Sequence, residues 1–257
     1  MKNKALFIEE KFINHESLVI VTHGIAENSL SYHSLAQIFN DHGYSVLLYD
    51  LRGHGRSPGL RGHIGSFKTF LNDLHRLVEK YRPHFQKIIL LGHSLGAGIV
   101  NSYCVTWHDV EAAIVSGNAM ITGNDILKFR HLPGFIAFFL RVKTNFQDPF
   151  IQSSQPKLNP YNLKNFNFQL VKQAIYYNNI YFNQRIANYQ VPVLMLYGQL
   201  EDQLLPNISQ NMTLTYDKIH SLKKLVCLTG LKHNIYHEDN IDFLYQEIFD
   251  FLDKIKK

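Results

Sequence analysis

The run Lys87-Ile88-Ile89-Leu90-Leu91-Gly92-His93-Ser94-Leu95-Gly96-Ala97-Gly98 constrains the fold of this chain more than any other. A short apolar stretch ends in Gly-x-Ser-x-Gly and passes straight into residues that can be helical. That order marks a sharp strand-to-helix turn that holds a serine, Ser94, in strained backbone geometry at the end of a sheet. The glycines have a steric reason, because a side chain at Gly92 or Gly96 would collide with the neighbouring strand and helix. The following helix points its positive end at Ser94, and the Leu95 amide is placed to stabilise an oxyanion. The pattern alone is common. Its weight comes from the readable strand before it and helix after it.

Strand and helix signals alternate along most of the remaining chain. Ser17–Thr22, Tyr44–Tyr49, Ala112–Ser116, Pro192–Tyr197 and Lys223–Leu228 are apolar runs of strand length. Between them lie helical patterns. Tyr32–Asp41 turns Leu35, Ile38 and Phe39 inward and stops at Gly43. Phe67, Phe70, Leu71, Leu74, Leu77, Val78 and Tyr81 follow helical spacing, with Ser66 placed to cap them and Pro83 just beyond. Leu244, Ile248, Phe251, Leu252 and Ile255 form one face of a final helix. Such alternation predicts an α/β fold with a mostly parallel central sheet and helices on both faces. A chain of 257 residues with 46% hydrophobic content fits a single domain spanning 1–257.

The alternation fails between about Met120 and Tyr189, where Asn, Gln, Phe and Tyr are frequent and Pro133, Pro149, Pro156 and Pro160 interrupt the pattern. An insertion of this length between core strands reads as a cap or lid over residues 120–189. Its apolar part, Leu132–Arg141, has two readings. One is a short helix packed on the core; the other is a lid helix whose Phe135, Phe138 and Phe139 contact a lipophilic substrate or a membrane surface.

Charge and cysteine content narrow the function classes. The net charge is +5, but the lysines and arginines are scattered and no run resembles a nucleic-acid arm. No nucleic-acid partner is therefore expected; the mild reading is an ordinary basic surface, and the sharper one is weak attraction to anionic membranes or substrates. The first ten residues lack the sustained apolar stretch of a signal peptide. The longest lipophilic run, Phe135–Leu140, is too short to cross a bilayer. The expectation is a cytoplasmic protein with peripheral membrane contact through the cap. Cys104 and Cys227 are the only cysteines, so no disulfide framework is expected and both read as small core residues.

Two further blocks carry a resemblance. Thr22-His23-Gly24-Ile25-Ala26-Glu27 is followed by Tyr32; Asp50-Leu51-Arg52-Gly53-His54-Gly55-Arg56-Ser57-Pro58-Gly59 is continued by Arg61-Gly62-His63 and Ser66-Phe67. Together with the serine turn, they resemble the monoacylglycerol lipase and lysophospholipase branch of the α/β-hydrolases, of serine aminopeptidase S33 type. The resemblance covers nearly everything except the cap. It implies the α/β-hydrolase fold and a serine esterase that cleaves lipophilic carboxylic esters, such as a monoacylglycerol or lysophospholipid, through an acyl-enzyme on Ser94. A general carboxylesterase or acyl-thioesterase is the alternative. The resemblance places the oxyanion donors at the Ile25 and Leu95 amides, requires no metal or organic cofactor, and makes the arginines and histidines of the second block loop-organising residues.

A serine hydroxyl needs a base, and the base needs an orienting acid. The resemblance selects His233, which follows Gly230 by three residues and precedes Glu238 by five; His237 is the nearest competitor. A zinc reading of the two histidines lacks the glutamate that should follow the first. For the acid, the residue three beyond Gly198 is Glu201, whereas the residue four before Pro206 is Asp202. The shorter aspartate is the commoner partner of histidine, which favours Asp202 and the order Ser94, Asp202, His233.

Overall fold

The computed structural model describes residues 4–117, 133–149, 151–154, 159–204 and 207–255. Seven strands form one sheet in the order β1-β3-β2-β4-β5-β8-β9. They are β1 (Ile8–Lys11), β2 (Ser17–Thr22), β3 (Ser45–Tyr49), β4 (Lys87–His93), β5 (Ala112–Ser116), β8 (Val193–Gly198) and β9 (Lys223–Leu228). Among the described strands of this sheet, only β1 runs antiparallel, against β3; the other pairings are parallel. The helices on the two faces are α1 (His33–Asp41), α2 (Lys68–Tyr81), α3 (Leu95–Cys104), and further along the chain Ile208–Lys218 and Asp242–Ile255.

Residue parity divides the core. Leu18 and Ile20 of β2, Leu47 and Tyr49 of β3, and Ile88 and Leu90 of β4 pack with Phe70, Leu74 and Val78 of α2 and with Ile99 and Tyr103 of α3. Their neighbours Val19, Val21, Val46, Leu48, Ile89 and Leu91 pack on the opposite side with Leu35 and Phe39 of α1 and with the C-terminal helix. Both faces are covered, which is why these strands read as continuous apolar runs with no polar alternation.

Between β5 and β8, the described part of the inserted segment holds α4 (Gly134–Phe139), the antiparallel pair β6 (Arg141–Lys143) and β7 (Asn165–Asn167), α5 (Phe168–Val171), a π-helical stretch Lys172–Tyr177 and α6 (Asn178–Asn183). The opening of the expected cap, 120–132, lies outside the described residues, as do Pro156 and Pro206.

α1 agrees with the helix expected over Tyr32–Asp41 to within one residue and is preceded by a 3-10 turn, Ser29–Tyr32, in which the Asn28 side chain accepts the Leu30 amide. Two expectations need correction. No side-chain cap starts α2; instead Gln173 of the inserted segment accepts the Phe67 amide at 3.0 Å. Cys104 is fully buried, but Cys227 is exposed. β9 is the last strand of the sheet, so an apolar strand there is only half-covered, and Cys227 lies on its open side. The helix Ile208–Lys218 is α7 and the C-terminal helix Asp242–Ile255 is α8.

Candidate active site

Ser94 sits between β4 and α3 with φ 52° and ψ −115°, a left-handed conformation that a serine adopts only under constraint. The constraint is close packing. A Cβ on Gly92 would lie 2.5 Å from the Gly96 carbonyl oxygen, and one on Gly96 would lie 1.9 Å from the Thr22 oxygen. The first turn of α3 is thereby pressed onto the end of β2, beside the His23-Gly24-Ile25 segment. Ser94 N–H donates to the Ser116 carbonyl at 2.8 Å, fixing the turn against β5 as well.

His233 follows β9 and stands over this serine. Its Nε2 accepts from the Ser94 hydroxyl at 3.0 Å, and its Nδ1–H donates to Glu201 Oε1 at 2.6 Å. Glu201 is fully buried and its other oxygen accepts the Gly198 amide at 3.2 Å. The structure therefore joins Ser94 and His233 as expected but does not bring Asp202 to them. Asp202 is exposed and instead accepts the Ser209 amide at 3.0 Å at the start of α7, together with the Ser209 hydroxyl. The reason is local helical geometry. Residues 201–203 form a 3-10 turn, so successive side chains diverge by about a third of a turn, and only the first one faces His233.

Burial lowers the basicity of the His233 imidazole, but the Glu201 hydrogen bond and charge, aided by Glu27, outweigh it and leave its pKa above the ordinary histidine value. Gly117, directly after β5, supplies the clearance. With φ +62°, a Cβ there would fall 2.9 Å from His233 Cε1 and 3.1 Å from Glu201 Oε1. Sequence reading missed Gly117, because its role rests on a contact with residues far along the chain.

A second carboxylate ties the loops of the site together. Glu27 is buried; its Oε2 accepts the Gly24 amide at 2.8 Å and the Tyr32 hydroxyl at 2.7 Å, and its Oε1 meets His237 Nε2 at 2.8 Å. Burial pushes the Glu27 pKa up, yet the His237 charge and hydrogen bond hold the group well below the usual carboxylate range. His237, the competitor for the base, is thus occupied by Glu27 and not by Ser94. His93 lies under His233 with ring centroids 4.9 Å apart. Burial, and then the neighbouring His233 charge, push its pKa down to about 3, so it stays neutral. It bridges Ser116 Oγ at 2.9 Å and Asn234 Oδ1 at 3.4 Å.

The Asp50–Gly59 block organises its own loop. Asp50 accepts the backbone amides of Ser29 at 2.7 Å and Arg56 at 2.6 Å, and its Oδ2 also meets Arg56 Nε at 3.3 Å. His23 Nε2 accepts the Leu51 amide at 2.9 Å, locking this loop to the one carrying Ile25. Among the described residues, no group of three or more His, Cys, Asp or Glu side chains is arranged to hold a metal ion.

The cap candidates fall elsewhere. Phe138 is half-buried, edge-on to His63 at 5.1 Å, whereas Phe135 and Phe139 are 69% and 76% exposed. The inserted segment does reach both site loops. Leu163 N–H donates to the Ala26 carbonyl, Asn234 N–H to the Ile151 carbonyl, and Asn28 Nδ2 to Asn159 and Asn162.

Comparison with known proteins agrees with this architecture. A monoacylglycerol lipase of Mycolicibacterium smegmatis is 36% identical over 111 residues, 42% of this chain and 39% of that protein. A probable lysophospholipase L2 of Haemophilus influenzae is 36% identical over 105 residues, 38% of this chain and 34% of the other. These matches therefore span between a third and two-fifths of the relatives' lengths. The crystal structure of Paleococcus ferrophilus monoacylglycerol lipase superposes with a TM-score of 0.82 at 21% identity, covering 98% of this chain and 100% of that one. A soluble variant of Saccharomyces cerevisiae monoglyceride lipase gives 0.77 at 20% identity, covering 97% and 91%. The family described as serine aminopeptidase, S33 (Hydrolase_4) matches residues 13–240, and with the strand–serine–helix turn and sheet order above, this chain belongs to that family of α/β-hydrolases.

Proposed function

We propose that the protein is a serine hydrolase of lipophilic carboxylic esters, with Ser94 as nucleophile, His233 as base and Glu201 as orienting acid. The observation that carries this reading is the continuous chain Ser94 Oγ–His233 Nε2 at 3.0 Å and His233 Nδ1–Glu201 Oε1 at 2.6 Å. The hydroxyl proton passes to His233 Nε2 as Oγ attacks the ester carbonyl. Negative charge builds on the carbonyl oxygen and is met by the Ile25 and Leu95 amides. The tetrahedral intermediate collapses as the imidazolium gives its proton to the leaving alcohol. Water, deprotonated by His233, then attacks the acyl-enzyme and releases the acid and Ser94. Glu201 holds the Nδ1–H tautomer and stabilises the imidazolium.

A monoacylglycerol or lysophospholipid is the substrate class we favour, supported by the names of the sequence relatives and by the exposed apolar face of α4. In this reading the inserted segment acts as a cap from about residue 120 to 189, and the protein works in the cytoplasm against a membrane surface. Among the described residues no helix is long and apolar enough to cross a membrane.

Hydrolysis rates on monoacylglycerols, lysophospholipids, acyl thioesters and nitrophenyl esters of increasing acyl length test the substrate class. Each methylene buried in an acyl site contributes about 0.8 kcal/mol, so kcat/KM should rise several-fold per added carbon until the site is full. Preference for acetyl esters would mark a general carboxylesterase instead.

A further inference from the structure

A groove of about 360 Å³ opens at the β1 edge of the sheet, away from the Ser94–His233–Glu201 chain. Its walls come from the residues leading into and opening β1, from Arg52 just after β3, and from Asp73 to Lys80 of α2. Four cationic side chains line it, Lys4, Arg52, Arg76 and Lys80, against a single carboxylate, Asp73.

That carboxylate is not available to a ligand. Asp73 is 3% exposed and is held by Arg52 through Nε at 2.8 Å and Nη2 at 2.9 Å, and by Arg76 Nη1 at 3.1 Å. The effect on Arg52 is to fix a guanidinium plane at the groove wall, only 11% exposed, with the cost of ordering it already met within the fold. Its Nη1 approaches the Lys4 carbonyl at 3.5 Å, too long for a strong hydrogen bond. Arg76 and Lys80 stand four residues apart on α2 and both line the groove. Lys80 Nζ reaches the Tyr81 hydroxyl at 2.9 Å, and that hydroxyl donates in turn to Glu10.

Leu6, Ile8 and Leu77 supply an apolar flank beside this cationic wall. The volume is within the range of small-molecule sites. A fixed guanidinium whose Nη1 is not held by Asp73, two further cations on α2 and an apolar flank match one ligand chemistry: an anionic phosphate attached to an apolar body. We propose that this groove binds a phosphate group carried on a partly apolar molecule, either a free phosphate ester or a phospholipid headgroup.

Titration calorimetry of the whole protein with inorganic phosphate and with phenyl phosphate tests the free ligand. Co-sedimentation with phosphatidylcholine vesicles, with and without phosphatidylglycerol, tests the lipid source. The variant is Arg76→Glu/Lys80→Glu, two exposed positions outside the proposed catalytic machinery. Its control is Lys218→Glu/Lys254→Glu, which makes the same change in net charge on α7 and α8. Hydrolysis of nitrophenyl acetate should be equal in all three proteins. Phenyl phosphate binding tighter than inorganic phosphate, and weakened about tenfold or more only by the α2 variant, assigns the groove to a free ester. Binding to anionic vesicles alone, lost only in the α2 variant, assigns it to a lipid headgroup. Absence of both kinds of binding, or equal losses in the variant and its control, overturns the proposal.

Discussion

In the proposed mechanism the orienting acid is whichever of two adjacent side chains faces His233. Glu201 and Asp202 follow Gly198 so closely that sequence spacing supports either. The 3-10 turn separates them, sending Glu201 to the imidazole and Asp202 to the start of α7. If Glu201 orients the base, Glu201→Gln should cut kcat/KM by orders of magnitude, as loss of the acid does in serine proteases, by about 10⁴-fold. Asp202→Asn should retain most activity and lose a little stability at the α7 terminus. The reverse ranking, measured on folded proteins, would return the role to Asp202. A second residue-scale outcome concerns pH. His233 must be neutral to act, so kcat/KM rises as pH passes upward through its pKa, which Glu201 and Glu27 hold above the ordinary value. Glu27→Gln removes one of those negative charges, so the rising limb of the pH–rate profile should move to lower pH. An unmoved limb, or one shifted upward, would show that Glu27 does not act on His233 electrostatically.

Elements were readable where periodicity and burial agreed. The α2 stripe of Phe70, Leu71, Leu74, Leu77, Val78 and Tyr81 is buried as its spacing predicts. The two fully covered faces explain why β2, β3, β4, β5 and β8 are recognisable as apolar runs. Periodicity gave no warning of β1, whose Ile8-Glu9-Glu10-Lys11 is an edge strand with little to bury, nor of α7, whose polar residues conceal a narrow apolar seam of Ile208 and Met212. The α4 helix bears on the two readings of its stretch. Only Ala137 is buried, and Phe135, Ile136, Phe139 and Leu140 form an exposed apolar patch, which disfavours a helix packed wholly on the core. Contact with lipid suits such a patch. Phe135→Ser/Phe139→Ser should therefore lower hydrolysis of long-chain monoesters presented in vesicles several-fold while leaving soluble nitrophenyl acetate turnover unchanged. Equal rates on vesicles would remove the patch from substrate delivery.

Across the whole molecule, the sheet order and the approach of three loops create the site. Ser94 and His233 lie 139 positions apart; the glycine-marked strand end points to Ser94, whereas only the family resemblance points to His233. What sequence could not show was the cross-linking between loops: Gly117 under His233, His93 bridging to Asn234, and Glu27 joining the Ile25 loop to His237. These depend on register between strands, such as His93 opposite Ser116 in the β4–β5 pair, which no local pattern encodes. If this assembly makes Ser94 a nucleophile, reaction of the intact protein with a fluorophosphonate, followed by peptide mass spectrometry, will show it. One covalent adduct is expected on the peptide carrying Gly92 to Gly98, placed on Ser94 by fragmentation and absent from Ser94→Ala. An adduct on another residue, or no adduct on a folded protein that hydrolyses esters, would contradict it.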